Sequence, residues 1–144
     1  MKKIVLFLLV GVISLFADFK HIDFKDIKTL GKDVVLIDIR TPSEWKETGT
    51  IPNSKKIMFF GEDGKYDARS WLDEFSKYVK DKNQPFVLVC RTGSRTNMVG
   101  NFLDKQMGFK NVYDLKGGIT YGYLMQGFKT TKKDLKPNPV TGTY

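Results

Sequence analysis

A chain of 144 residues, 41% hydrophobic and 13% aromatic, has the size of one domain and enough apolar material for a core, which excludes disorder throughout. Its formal charge of +8 comes from 24 basic against 16 acidic residues, and the basic residues are mostly lysines scattered singly. Beyond the first few residues only Lys55-Lys56 and Lys132-Lys133 are adjacent, so the charge reads as solvated surface and no nucleic acid partner is expected.

Met1-Lys2-Lys3 is a short positive segment, and residues 4–16 are apolar apart from Gly11 and Ser14. Ala17 then precedes Asp18, the first acid in the chain. This is the layout of a secretory signal peptide over residues 1–17, with an uncleaved anchor as the alternative. The apolar run is shorter than the roughly 20 residues that span a bilayer, so no stable membrane insertion is expected after cleavage. Loss of Lys2 and Lys3 would lower the charge from +8 to +6. The expected location is the periplasm or an equivalent exported space.

Residues 18–32 are mixed and polar; Phe19, Ile22, Phe24, Ile27 and Leu30 recur at intervals of two or three, which reads as an entry segment and a short helix. Residues 34–39 form a β-branched run suited to a strand buried on both faces. Thr41 or Ser43 is placed to cap a short helix after it. A further strand is expected over 56–60. Residues 68–80 carry an apolar stripe of Trp71, Leu72, Phe75, Tyr78 and Val79 that predicts an amphipathic helix. Residues 86–89 are the clearest strand, with Cys90 at its carboxyl end.

A second helix is expected over 94–107, its buried face made of Met98, Val99, Phe102, Leu103 and Met107, with Gly108 ending it. Residues 112–115 read as a strand, followed by Gly117-Gly118 and a last helix reaching residue 126. Pro137 and Pro139 lie in a tail from residue 129 that is expected to fray. The domain is thus expected over 18–130, with a tail over 131–144. Strands alternating with helices predict an α/β fold with a mainly parallel central sheet flanked by helices.

Cys90 is the only cysteine, so no internal disulfide is possible. It lies at the end of a strand, where parallel sheets bind their ligands. In Cys90-Arg91-Thr92-Gly93-Ser94-Arg95, Gly93 permits a loop that turns backbone N–H groups inward. The following helix adds the positive end of its dipole. The chain has four arginines, Arg40, Arg69, Arg91 and Arg95, and two of them flank this cysteine. All these features favour thiolate over thiol. The hydroxyls of Thr92 and Ser94 are further candidate donors to a bound anion. The plain structural alternative is a surface loop with a chance cysteine and helix-capping hydroxyls.

Residues 90–96, Cys-Arg-Thr-Gly-Ser-Arg-Thr, closely resemble the active-site loop of single-domain rhodaneses. The resemblance extends to Leu36-Ile37-Asp38-Ile39-Arg40-Thr41-Pro42-Ser43-Glu44-Trp45, to Gly49-Thr50-Ile51-Pro52-Asn53-Ser54 and to Leu115-Lys116-Gly117-Gly118-Ile119, in the family's order and spacing. Thr50 stands where the family has His, Asn53-Ser54 stand for Gly-Ala, and the tryptophan common after the glycine pair is missing.

The resemblance implies a three-layer rhodanese-like fold and a sulfurtransferase that carries sulfane sulfur on Cys90 as a persulfide. It implies neither metal nor organic cofactor. The donor would be a small anion such as thiosulfate or polysulfide, and the acceptor cyanide, an external thiol or a protein. Cys90 would be the nucleophile, with Arg91, Thr92, Gly93, Ser94 and Arg95 holding the persulfide or the donor. Asp38, Arg40 and Glu44 would support the loop, Arg40 and Glu44 being spaced to pair along one helix face. His21, the only histidine, is expected to lie away from every motif.

Two other readings exist. One is a binding or sulfur-carrier module without turnover. The other is a phosphatase or arsenate reductase on the same fold, whose loop places five residues between Cys and Arg where this chain places four, between Cys90 and Arg95.

Overall fold

The computed structural model describes residues 19–136, so the expected signal segment and the last part of the tail lie outside the described residues. Five strands form one parallel sheet in the order β1-β5-β4-β2-β3. They are β1 (Lys20–Ile22), β2 (Val35–Asp38), β3 (Lys55–Lys56), β4 (Phe86–Val89) and β5 (Val112–Leu115). β4 is central and every residue in it is buried, which is why it reads as an unbroken apolar run.

The alternation of β4 divides the core between the two faces of the sheet. Phe86, Leu88 and Cys90 join Ile37, Ile39, Trp71, Phe75, Val99 and Leu103 on the side of α2 (Ala68–Phe75) and α3 (Ser94–Asn101). Val87 and Val89 meet Ile27, Ile51, Leu115, Ile119 and Tyr123 on the side of a 3-10 helix (Phe24–Leu30) and α4 (Gly118–Gly122). The result is the expected three-layer α/β arrangement.

The site is positioned by topology. From β2 the chain moves outward to β3, and from β4 it moves outward the other way to β5. The connections therefore diverge between β2 and β4, leaving a crevice beyond their carboxyl ends. The Ile39 N–H donates to the Val89 carbonyl at 2.9 Å, which brings the residues following β2 against Cys90. α1 (Pro42–Thr48) starts there with Thr41 as its cap, its side chain accepting the Glu44 N–H while the Glu44 carboxylate accepts the Thr41 N–H.

Several elements differ from expectation. β1 was not anticipated, being a three-residue edge strand paired only with β5. The strand expected over 56–60 is formally Lys55–Lys56, although Ile57 and Phe59 continue to donate to Asp38 and Ile39 carbonyls. The helix expected over 68–80 ends at Phe75 and continues as turns that still bury Val79. The helix expected over 94–107 is α3 followed by a π-helical turn (Phe102–Gln106). Leu103 and Asp104 are buried there, while Met98, assigned to the core from the sequence, is 61% exposed.

The last helix is interrupted at Tyr123, whose φ of −131° is not helical, before a 3-10 helix (Leu124–Gln126). Tyr123 is buried instead, and its hydroxyl donates to the Lys129 carbonyl at 2.9 Å. In the stretch expected to fray, Thr130 and Thr131 make contacts with residues 48–50. Thr50 and Thr131 exchange two backbone hydrogen bonds of 2.9 Å, and the Thr130 hydroxyl donates to the Thr48 carbonyl at 2.6 Å. These contacts span the boundary expected at residue 130.

Candidate active site

Cys90 follows the carboxyl end of β4, as expected, and is fully buried there. It keeps the β4 alternation and points into the face covered by α3. Residues 91–95 close over it. Gly93 adopts φ 111°, open to glycine, and its N–H donates to Cys90 Sγ at 3.1 Å. α3 begins at the next residue and directs its N-terminal end at the same place. From the other side, α4 donates the Ile119 N–H to the Cys90 carbonyl at 2.9 Å and the Thr120 N–H to the Arg91 carbonyl at 3.1 Å.

The second glycine of the pair allows that approach. Gly118 has φ +62°, and a Cβ there would stand 2.5 Å from the Arg91 carbonyl carbon and 2.6 Å from the Thr92 nitrogen.

The charged residues are brought together with different partners from those expected. Arg40 does not pair with Glu44. It is buried and spends its guanidinium on Asp38, at 2.7 and 3.0 Å, on the Thr48 hydroxyl at 2.7 Å and on the Gly49 carbonyl at 2.8 Å. Asp38 in turn accepts the Arg40 N–H, so these two residues tie the chain entering α1 to the carboxyl end of that helix rather than face a ligand.

Glu44 binds Arg95 through two hydrogen bonds of 2.7 and 2.6 Å, a bidentate clamp between α1 and the first turn of α3. Burial alone would raise the Glu44 carboxyl, but Arg95 and the Thr41 N–H and hydroxyl outweigh it and hold the group at about 2. Glu44 in turn strengthens the hold of Arg95 on its proton, against burial, and the Cys90 sulfur adds to this. Arg91 is exposed, and its side chain has no partner among the described residues. The geometry thus separates the two arginines, Arg95 bracing the loop and Arg91 facing solvent.

Thr92 and Ser94 are exposed and their hydroxyls have no partner among the described residues. The hydroxyl beside the sulfur belongs to Thr96, with Oγ1 3.5 Å from Sγ and 2.7 Å from Asp114 Oδ2. The other Asp114 oxygen is 2.6 Å from His21 Nδ1. His21 is therefore joined to the site through Asp114 and Thr96, which the sequence reading missed. A sequence signal existed in Asp114, the one acid in the apolar β5, because a carboxylate buried in a strand requires partners. Burial raises the Asp114 carboxyl while Thr96 and His21 pull it down. Among the described residues no cluster of three His, Cys, Asp or Glu is placed to hold a metal ion.

The departures from the rhodanese pattern lie outside this cluster. Thr50 is buried and bonded to Thr131. Asn53 takes φ 67°, a left-handed conformation that Asn tolerates better than most residues.

Comparison with known proteins agrees with this architecture. The family model described as "Rhodanese-like domain" matches residues 23–122. The chain is 27% identical over 103 residues to RP600 of Rickettsia prowazekii, an uncharacterized protein, covering 69% of this chain and 80% of that one. It is 37% identical over 103 residues to the tRNA uridine(34) hydroxylase of Pelagibacter ubique, covering 69% of this chain but 30% of the hydroxylase. Among solved structures, the polysulfide-sulfur transferase homodimer of Wolinella succinogenes superposes with a TM-score of 0.57 at 25% identity, covering 85% of this chain and 87% of that one. With the family model spanning the sheet, the Cys90 loop and the glycine pair, the chain belongs to the rhodanese-like domain family.

Proposed function

We propose that the protein is an exported sulfurtransferase that takes a sulfane sulfur onto Cys90 and passes it to an external acceptor. The observation that carries this reading is the sulfur itself. Cys90 Sγ sits at the divergence of the sheet connections, faces the Gly93 N–H and the start of α3, and has the Arg95 guanidinium held nearby. Such a site stabilises a thiolate or a persulfide anion without a metal.

In the proposed reaction the Cys90 thiolate attacks the outer sulfur of thiosulfate or polysulfide. The donor's S–S bond breaks and sulfite, or a shortened polysulfide, leaves with the electron pair. An acceptor thiolate or cyanide then attacks the outer sulfur of the persulfide and returns Cys90 as thiolate. The chain has no second cysteine to resolve the persulfide, so the acceptor is external. Burial of Cys90 favours small, unbranched donors, and exposed Arg91 is placed to attract anions to the loop. Export is inferred from residues 1–17. No helix among the described residues is long and apolar enough to cross a membrane.

The test is intact mass after incubation with thiosulfate or polysulfide. A gain of about 32 Da per sulfur, removed by cyanide or dithiothreitol and absent in Cys90→Ser, is the expected result. Sulfur uptake without turnover to any acceptor would favour a carrier module, and full transfer activity in Cys90→Ser would overturn the reading.

A further inference from the structure

Cys90 is the nucleophile of the proposed reaction, but three residues behind it have no part in that scheme. Thr96 Oγ1 lies 3.5 Å from Sγ, 3.0 Å from the Gly93 carbonyl and 2.7 Å from Asp114 Oδ2. Asp114 is 1% exposed, and its other oxygen meets His21 Nδ1 at 2.6 Å. The His21 side chain is 57% exposed. A continuous line of polar contacts thus runs from solvent to the buried sulfur, across β1, β5 and α3.

We propose that Asp114, held by His21, is a positioning group that sets the direction of the Thr96 hydroxyl and so decides whether the Cys90 sulfur faces a proton donor or an acceptor. The sulfur-transfer reading gives that sulfur its purpose, and the proposal rests on it to that extent. Thr96 has one hydroxyl proton. An ionised Asp114 takes it, leaving the Thr96 oxygen to accept from the Cys90 S–H, a state that holds the thiol. A proton gained by Asp114 from solvent reverses the arrangement. With the His21 Nδ1–H donating to Oδ1, the added proton sits on Oδ2 and donates to Thr96 Oγ1, and the Thr96 proton turns to Sγ or to the Gly93 carbonyl. Turned to Sγ, it joins the Gly93 N–H as a second donor to a thiolate or persulfide anion. Sulfur reactivity is thereby protected as pH falls.

The groups facing the carboxylate are His21 from β1, Thr96 from α3 and, through Thr96, Cys90 at the end of β4. Of the other buried carboxylates, Asp104 of the π-helical turn accepts the Phe19 N–H at 3.2 Å and Asp38 is paired with Arg40, while Arg95 is turned to Glu44. Burial pushes the Asp114 carboxyl toward the neutral form against the pull of its partners, which makes its charge responsive.

The experiment follows iodoacetamide alkylation of Cys90 by intact mass in the full chain, from about pH 5 to about pH 9. Asp114→Asn, whose amide donates to Thr96 as the protonated acid does, is expected to move the profile to lower pH and raise the acid-side rate about three- to tenfold. In a Thr96→Val background the same substitution should change the rate less than about twofold, and Thr96→Ser should restore the response. His21→Gln, at an exposed position that leaves the fold intact, should shift the profile the same way by less, and it carries the test if Asp114→Asn does not fold. An equal Asp114→Asn effect with and without the Thr96 hydroxyl would overturn the proposal, as would an unmoved profile in the Asp114 and His21 variants. Persulfide uptake is measured separately on the wild type, so a shifted alkylation profile without any sulfur uptake would remove the transferase reading alone.

Discussion

Gly118→Ala tests whether the Cys90 loop is held from behind by α4. The added Cβ would stand 2.5 Å from the Arg91 carbonyl carbon and 2.6 Å from the Thr92 nitrogen, so α4 or the loop must retreat by about 1 Å to reach ordinary contact. That retreat stretches the bonds from Ile119 to Cys90 and from Thr120 to Arg91, worth about 1 kcal/mol each. The φ of +62° adds about 1 to 2 kcal/mol for any residue with a Cβ. The expected loss is therefore about 3 to 4 kcal/mol.

Gly108→Ala separates the contributions, because Gly108 has φ +72° and nothing within 4 Å of the added carbon. It should cost only the conformational part, about 1 to 2 kcal/mol. Urea unfolding of both variants should thus differ by about 2 kcal/mol. Under the proposed function, sulfur uptake should fall by about 100-fold in Gly118→Ala, as expected for a reacting atom displaced by about 1 Å, and remain normal in Gly108→Ala. Equal stability and equal uptake in the two variants would refute the bracing role.

Arg40→Met should lose about 3 to 5 kcal/mol, because it strands the buried Asp38 carboxylate, and thermal unfolding would show this as a fall in stability. Glu44→Gln bears on acid stability. The Glu44 carboxyl is displaced from 4.5 to about 2, at most about 3 kcal/mol, and solvent at the partly exposed pair reduces this to about 1 to 2 kcal/mol. Since the folded value is the lower one, the stabilisation is present above about pH 4.5 and fades as pH falls toward about 2. The gap between wild type and Glu44→Gln in urea unfolding should close over that window.

The two tryptophans should respond differently to Phe. Trp71 Nε1 donates to the Ile57 carbonyl at 2.9 Å, whereas Trp45 Nε1 is buried without a partner among the described residues. Trp71→Phe is therefore expected to cost about 1 to 2 kcal/mol more than Trp45→Phe.

Legibility in the sequence followed physical cause. β4 and β5 were bounded correctly because a strand buried on both faces must be apolar throughout and stop at a turn. β1 was missed because three residues at a sheet edge carry no periodicity, and with it went the placement of His21. The Cys90 loop was visible as a motif, but ion-pair partners are set by three-dimensional packing. Arg40 and Glu44 have helical spacing, yet Arg40 precedes the cap Thr41 and lies outside α1, so its side chain turns back to Asp38. Glu44 is then free to meet Arg95, 51 residues away in sequence. Thr92 and Ser94 stand nearer Cys90 in the sequence than Thr96, but the sulfur points under α3, where the Thr96 hydroxyl lies.

The bridge between Thr50 and Thr131 gives the domain a mechanical handle. Tension applied beyond residue 131, by a fused domain or a tethered partner, arrives at residues 48–50, where the Thr48 hydroxyl and the Gly49 carbonyl hold Arg40. Tension applied ahead of residue 20 arrives instead at β1, where His21 touches Asp114. Attachment at one end of the described residues thus loads the Arg40 contacts, and attachment at the other loads the contact between His21 and Asp114.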